Sequence, residues 1–247
     1  MARFFTHKQF IDAYARCILS LRFVEVDEYY HVYRSRYEQT LRRVAKLPLL
    51  KGARLVEIGG GQMALLSKDL FGDNATVWDL NAAYAQPLAD KGTGFAQFDL
   101  LHDPSPPETS AFDALVMCEV VEHMPVPLYT IFQETMRALK PGGYMVITTP
   151  NINRIRNVVH LLSGKDIFCN WDLPERGRGL GHITEFSAER LRWQAERAGL
   201  DVLAVEHVQL TLKGSTLATC IGKAMALPLS LRPRWRDGLI MVCQRRA

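Results

Sequence analysis

Three consecutive glycines, Gly59-Gly60-Gly61, follow the short apolar run Arg54-Leu-Val-Glu-Ile58, and an acid, Asp79, closes the next apolar run. Glycines at such a turn let the backbone bend sharply and approach a ligand that a Cβ would hold off. Gly59, Gly61 and Ala64 have the spacing of the dinucleotide fingerprint in its Ala form. Asp79 stands 20 residues after Gly59, at the distance of the ribose-binding acid. This pattern fits a nicotinamide enzyme and other enzymes of adenosine cofactors equally. Glu57 separates the two. A carboxylate two residues before the first glycine would repel a pyrophosphate on the helix N-terminus and would attract an ammonium. S-adenosylmethionine is a ligand of that kind, with adenosine, no phosphate, an α-ammonium and a sulfonium.

A sulfonium donor needs an acceptor aligned for in-line displacement and, for a hydroxyl acceptor, a base to take its proton. Imidazole titrates near neutral pH, so His123 and His182 are the candidate catalytic residues. His123 follows the fourth strand-like run, beside the expected cofactor. His182 ends a long connection and could descend on the acceptor. Each has a structural alternative: His123 bonding the backbone of its own loop, His182 capping the next helix. Tyr29 and Tyr33 are candidates for one wall of the acceptor pocket, and Trp171, with Phe168 and Leu173, for the opposite wall. A core-facing stripe is the plainer reading of these tyrosines.

The elements that must position these groups can be read from periodicity. Apolar residues at 11, 14, 18 and 21, and again Tyr30, Tyr33, Tyr37, Leu41 and Val44, recur with helical spacing, and Pro48 closes the second helix. Strands at 54–58 and 75–79, a strand ending at Asp99, and strands at 113–118 and 144–149 alternate with helices at 62–70, 82–90 and 127–139. Lys140-Pro-Gly-Gly143 reads as a helix stop. Such alternation makes parallel βαβ units, hence a doubly wound α/β sheet with N-terminal helices. Beyond it lie a helix at 151–162, a helix from the cap Ser187 to Gly199, and strands at 201–210 and 237–243. The structureless stretch 164–186 has the length of a binding loop or lid. One domain is expected over 1–247, with a helical cap at 1–50, the lid at 164–186 and an apolar, basic insertion at 211–236.

The 247 residues, 48% of them hydrophobic and 23% charged, suffice to bury a core and exclude a disordered or fibrous chain. Five cysteines without a Cys-x-x-Cys pair write neither a disulfide framework nor a thiolate zinc site, so a reducing, cytoplasmic setting is expected. Lys8, Asp12 and Arg16 interrupt the apolar start, which is not a signal peptide, and the tract 214–231 is too broken for a comfortable membrane span. The net charge of +4 is unevenly placed. Residues 1–51 carry +5, residues 52–210 carry −7 and residues 211–247 carry +6. An acidic middle suits a cationic donor, and the basic ends suit an anionic acceptor or surface rather than nucleic acid. Leu217, Ile221, Met225 and Leu227 of the insertion would pack on the sheet edge or a second subunit. With Lys213, Lys223, Arg232, Arg234 and Arg236, the insertion could instead lie on an anionic membrane beside a lipid-linked acceptor.

Over about residues 50–210 the chain resembles the class I S-adenosylmethionine-dependent methyltransferases. Glu57-Ile-Gly-Gly-Gly61 is similar to their glycine-rich first motif, with Met63 at a place where many members have a third glycine. Asp79, with Leu80, stands where they keep the ribose acid, and Phe98-Asp99-Leu100 resembles the acid and apolar pair at the adenine. Cys118-Glu119-Val-Val-Glu122-His123-Met124, Leu139–Gly143, Thr149-Pro-Asn151, and Gly181-His182 with Glu185-Phe186 resemble the later motifs. The resemblance implies a Rossmann-like fold of seven mostly parallel strands with an antiparallel last strand. It also implies S-adenosylmethionine held by Glu57, Gly59, Gly60, Gly61, Asp79, Leu80, Asp99, Leu100, Cys118 and Glu119. Glu119, Glu122 and His123 match positions that hold a divalent metal in the ubiquinone-synthesis methyltransferases, yet the same letters occur in metal-free relatives, and no metal is assigned. Cys118-Glu119-Val120-Val121 replaces the Asn/Asp-Pro-Pro-Tyr/Phe element of the enzymes that methylate exocyclic amines. The expected activity is therefore methyl transfer to a hydroxyl of a small-molecule, sugar or glycan, or quinone-like acceptor. The rivals are a cofactor-binding adaptor without catalysis and a nicotinamide-dependent oxidoreductase.

Overall fold

The computed structural model describes residues 3–20, 27–168, 181–210 and 232–247. Two helices come first, α1 (His7–Tyr14), which runs on as a π-helical turn to Leu19, and α2 (Asp27–Lys46). Thr6 and Gln9 close a reciprocal capping box at the start of α1. Seven strands follow: β1 (Arg54–Ile58), β2 (Asn74–Asp79), β3 (Gly94–Gln97), β4 (Phe112–Cys118), β5 (Leu139–Pro150), β6 (Leu200–Val208) and β7 (Gly238–Arg245). They form one sheet in the order β3-β2-β1-β4-β5-β7-β6. β7 runs antiparallel to both its neighbours, and the other pairings are parallel. The doubly wound mixed sheet and its antiparallel last strand agree with the sequence reading.

Alternation along each strand divides the core into two layers. Leu55, Val77, Ala114, Val116, Val146, Ile240 and Val242 join the cluster under α1, α2 and α3 (Gln62–Phe71). Val56, Trp78, Leu115, Met117, Met145, Ile147, Leu239 and Met241 join the opposite cluster, under α5 (Leu128–Thr135) and α7 (Ala188–Arg197). Both faces are covered, as a parallel sheet requires. Trp78 stands edge-on to Phe98 and Phe112, at 5.6 and 5.3 Å between ring centres. Between β2 and β3 lies α4 (Ala85–Ala89), and after β5 comes α6 (Ile155–Leu162).

Some boundaries differ from the sequence reading. β5 begins at Leu139, paired with Phe112, and the Lys140–Gly143 stretch is an irregularity inside the strand rather than a stop before it. β3 ends two residues before Asp99, and α6 starts at Ile155 rather than at 151. Tyr37, Leu41 and Val44 are buried, as the helical stripe requires, and Tyr33 is partly buried against them. Among the described residues no helix is long and apolar enough to cross a membrane.

Candidate functional site

The reversal of strand order falls between β1 and β4, and an open α/β sheet binds its ligand beyond the carboxyl ends of strands at that point. Gly59 has φ +81°, and a Cβ there would stand 2.6 Å from Cγ2 of Val120. The turn therefore needs glycine for both its conformation and its space. The Gly60 N–H donates to Oδ2 of Asp79 at 2.7 Å, tying the glycine turn to the end of β2. Oδ1 of Asp79 takes the Asn81 N–H at 2.7 Å. Leu80 beside it is exposed. At the end of β3, Oδ1 of Asp99 accepts from the Leu101 N–H at 2.8 Å, and that bond holds this exposed carboxyl below its ordinary range. Leu100 packs partly against the core below it.

Glu57 lies beneath the turn, fully buried. Its Oε2 accepts from the Ala64 N–H at 2.8 Å, whereas Oε1 is buried without a hydrogen-bond partner. Burial pushes its carboxyl up to about 8, against the opposing pull of the N–H groups of Ala64, Met63 and Gly61. An orphaned carboxylate oxygen under a glycine turn fits a cationic ligand group and opposes a pyrophosphate. S-adenosylmethionine carries such a group, and the residues present fit it.

At the end of β4 the chain makes a second strained turn. Glu119 adopts φ +55°, a region few residues other than glycine enter. Its Oε1 accepts from the Thr148 hydroxyl at 2.9 Å, and its Oε2 pairs with the guanidinium of Arg36 at 3.1 Å. Arg36 is buried on α2, with its guanidinium over the rings of Tyr33 and Tyr37 at 4.6 and 5.3 Å. The helical cap thus brings a cation into an acidic site. Cys118, just before Glu119, has its thiol driven up by burial and held neutral.

The two histidines meet. Their ring centres are 5.2 Å apart, edge to face. Nδ1 of His123 lies 3.0 Å from the Gly181 carbonyl, which can only accept, so Nδ1 carries the proton and Nε2 is the basic nitrogen. Burial lowers the His123 pKa, and the imidazole is neutral at neutral pH. The ring thus does bond backbone, but that of the facing strap rather than its own loop. Nε2 of His182 is 4.0 Å from Oε1 of Glu122, and its Nδ1 is 3.5 Å from Oε1 of Glu185. Helix α7 is capped by Ser187, whose hydroxyl takes the Arg190 N–H, so His182 is not its cap. Glu122 is fully buried, its Oε2 accepting from the Thr149 hydroxyl at 3.1 Å, and burial raises its carboxyl well above the ordinary range. Donor atoms of Glu122, His123 and His182 lie within 4.8 Å of one another. Glu119, which the sequence grouped with Glu122 and His123, is turned instead to Arg36 and Thr148.

A family model for a methyltransferase domain matches residues 29–205. The chain belongs to the methyltransferase domain family. It is 32% identical over 108 residues to a ubiquinone biosynthesis O-methyltransferase of Xanthomonas oryzae, an alignment covering 41% of this chain and 45% of that protein. The chain therefore spans less than half the length of the curated relatives it matches. Among solved structures it is similar to one titled as a complex between the Haloferax volcanii Trm112 methyltransferase activator and a methyltransferase. The TM-score there is 0.62 at 18% identity, over 87% of this chain and 91% of that one. It is also similar to phosphoethanolamine N-methyltransferase 2 of Haemonchus contortus in complex with S-adenosyl-L-methionine. That TM-score is 0.57 at 17% identity, over 85% of this chain and 53% of that one. At such identities these structures show the fold alone.

Glu57, the glycines, Asp79, Glu119, His123 and His182 lie around one end of the sheet, the place their spacing in the sequence implies. Tyr33 joins them through Arg36. The Tyr29 side chain, Trp171 and Leu173, and Lys213, Leu217, Ile221, Lys223, Met225 and Leu227 of the insertion, lie outside the described residues. Arg36, Thr148, Thr149, Arg154 and Asn157 were missed. Only Arg36 left a signal, as a cation between Tyr33 and Tyr37 on an otherwise core-facing helix side.

Proposed function

We propose that the chain transfers a methyl group from S-adenosylmethionine to a hydroxyl oxygen of a small-molecule acceptor, with His123 as the base. The observation that carries this reading is the His123 tautomer, with Nδ1–H held by the Gly181 carbonyl and Nε2 left basic at the end of β4. When bound, S-adenosylmethionine supplies a methyl group already activated by its sulfonium. Glu57, with its unpartnered oxygen, would hold the ammonium, Asp79 and Asp99 would hold the ribose and adenine, and the glycine turn would leave room for the ligand to approach the backbone. Leu80, Leu100, Cys118 and Glu119 line the remainder. Nε2 of His123 would take the acceptor's hydroxyl proton as the oxygen–methyl bond forms and the sulfur–methyl bond breaks, with S-adenosylhomocysteine as the neutral leaving group, and His182 would close the acceptor side. Tyr33, and Tyr29 and Trp171 by their places in the chain, would wall the acceptor.

The partial match to a ubiquinone biosynthesis O-methyltransferase favours a phenolic, quinone-like ring as the first acceptor to try, with sugar hydroxyls second. The basic ends favour an anionic or lipid-linked form of either. The test is calorimetry with S-adenosylmethionine and NAD, followed by methyl transfer over a panel of phenols, sugars and amines. Binding of S-adenosylmethionine with turnover on hydroxyls and not amines supports the reading. Turnover confined to amines, or tight NAD binding, overturns it. Cofactor binding without turnover on any acceptor would mark an adaptor.

A further inference from the structure

The base of the proposed reaction is held by a carbonyl that belongs to a different part of the chain. Gly181 begins the strap 181–186, and the Ile183 and Thr184 N–H groups of that strap both donate to the Glu122 carbonyl, at 2.9 and 3.2 Å. What fixes the far end of the strap is a polar cluster at the start of α6, where Glu185 meets Arg154 and Asn157. Glu185 is 2% exposed and Asn157 fully buried. Oε2 of Glu185 accepts from Nδ2 of Asn157 at 2.6 Å, and Oε1 is paired with the Arg154 guanidinium. Nε of Arg154 donates in turn to Oδ1 of Asn157 at 3.1 Å, and Nδ2 of Asn157 reaches the Ile152 carbonyl at 3.0 Å. The Ile152 N–H donates to the Phe186 carbonyl at 3.0 Å, so the end of β5, the start of α6 and the strap form one knot. Oε1 of Glu185 also faces Nδ1 of His182 at 3.5 Å.

We propose that Glu185, gripped by Arg154 and Asn157, is a positioning residue for the two-histidine site. It fixes His182 on one ring nitrogen and holds the strap so that the Gly181 carbonyl stays on Nδ1 of His123. The inference rests on the reading of His123 as the base. A buried carboxylate with a guanidinium and an amide is more than a strap needs to stay folded, because an apolar pair of similar size is often as stable. What the polar cluster adds is direction. It points one carboxylate oxygen at an imidazole, and the resulting geometry is of the kind whose loss by about an ångström costs about 10²-fold in rate.

The experiment compares wild type with Glu185→Gln, Arg154→Lys and the paired Arg154→Met/Glu185→Leu variant. Each is measured for Tm, S-adenosylmethionine Kd, kcat and the nitrogen NMR shifts of the His123 and His182 rings. The expected result is a wild-type His123 ring with the proton on Nδ1. Glu185→Gln should lose about 10²-fold in kcat with Kd unchanged and the ring shifts displaced, and Arg154→Lys should lose less. The paired variant should recover Tm but neither kcat nor the ring shifts. Recovery of kcat and the shifts together with Tm would show the cluster to be structural and overturn the proposal. If the paired variant does not fold, a fully active Arg154→Lys protein with wild-type ring shifts overturns it equally. His123→Asn with wild-type kcat would instead overturn the reading of the base, while the ring shifts still report whether Glu185 holds the histidines.

Discussion

At the residue scale the site depends on which proton sits where. His123 is neutral and basic at Nε2 because burial lowers its pKa and a carbonyl holds its other nitrogen. His123→Asn should therefore lower kcat by about 10²- to 10⁴-fold, with S-adenosylmethionine Kd unchanged. Isothermal titration beside a steady-state assay reads both. Since this route uses only groups of the chain, turnover is expected to persist in excess chelator. Loss that magnesium restores would recast Glu122, His123 and His182 as metal ligands. Glu57 makes a second prediction. Its carboxyl titrates at about 8 when folded and near 4.5 when unfolded, so between those values the folded chain holds the extra proton. Its contribution to stability therefore falls as pH rises through that window. An ammonium at Oε1 would reverse the preference, so binding at neutral pH should expel a proton. The binding enthalpy should then depend on the buffer's ionisation enthalpy, and Glu57→Gln should remove that dependence. A buffer-independent wild type would mean that the ammonium does not meet Glu57.

At the element scale the glycine turn is the piece most exposed to a single change. An alanine at 59 would need φ +81° and would meet Val120 at 2.6 Å, whereas at 60 the nearest atom is the flexible end of Gln62. Gly59→Ala should destabilise by about 1–3 kcal/mol and weaken cofactor binding. Adding Val120→Ala should restore part of the loss, because it removes the clash and leaves the backbone strain. Thermal melting and titration of the two variants check this, and full rescue would show that strain at this turn is negligible. The same turn shows what a sequence discloses. Strands such as Leu55-Val56 with Ile58, and Leu115 with Met117, could be read because successive residues face opposite layers that are both apolar, which makes each strand a short apolar run. That the glycine turn meets Glu57 and Asp79 was legible because short-range spacing brings them to the ends of neighbouring strands. The start of β5 was not, since Pro141, Gly142 and Gly143 argue locally for a turn while pairing of Leu139 with Phe112 is a distant contact. The grip of Arg154 and Asn157 on Glu185 was hidden for the same reason. The partners lie about thirty residues apart, and nothing near Asn157 marks it as buried.

At the scale of the whole molecule, charge is distributed in a way that the net value conceals. Residues 52–210, with 13 basic and 20 acidic side chains, hold the glycine turn, the strand ends and both histidines, and basic stretches flank them. The donor S-adenosylmethionine carries one net positive charge, and its demethylated product carries none. An acidic field around the cleft should therefore draw in donor and not product, and it acts across solvent, where salt screens it beyond about 8 Å at physiological ionic strength. A contact at the buried Glu57 would hardly be screened, so the two contributions would separate by rate. Raising salt should slow association of S-adenosylmethionine several-fold, leave its dissociation rate nearly constant, and leave association of S-adenosylhomocysteine flat. Stopped-flow binding at low and high salt measures all three rates. Equal salt dependence for both ligands would show that the acidic stretch is solvated surface without a steering role. In that case selectivity for the charged donor would rest on Glu57 and its neighbours in the turn alone.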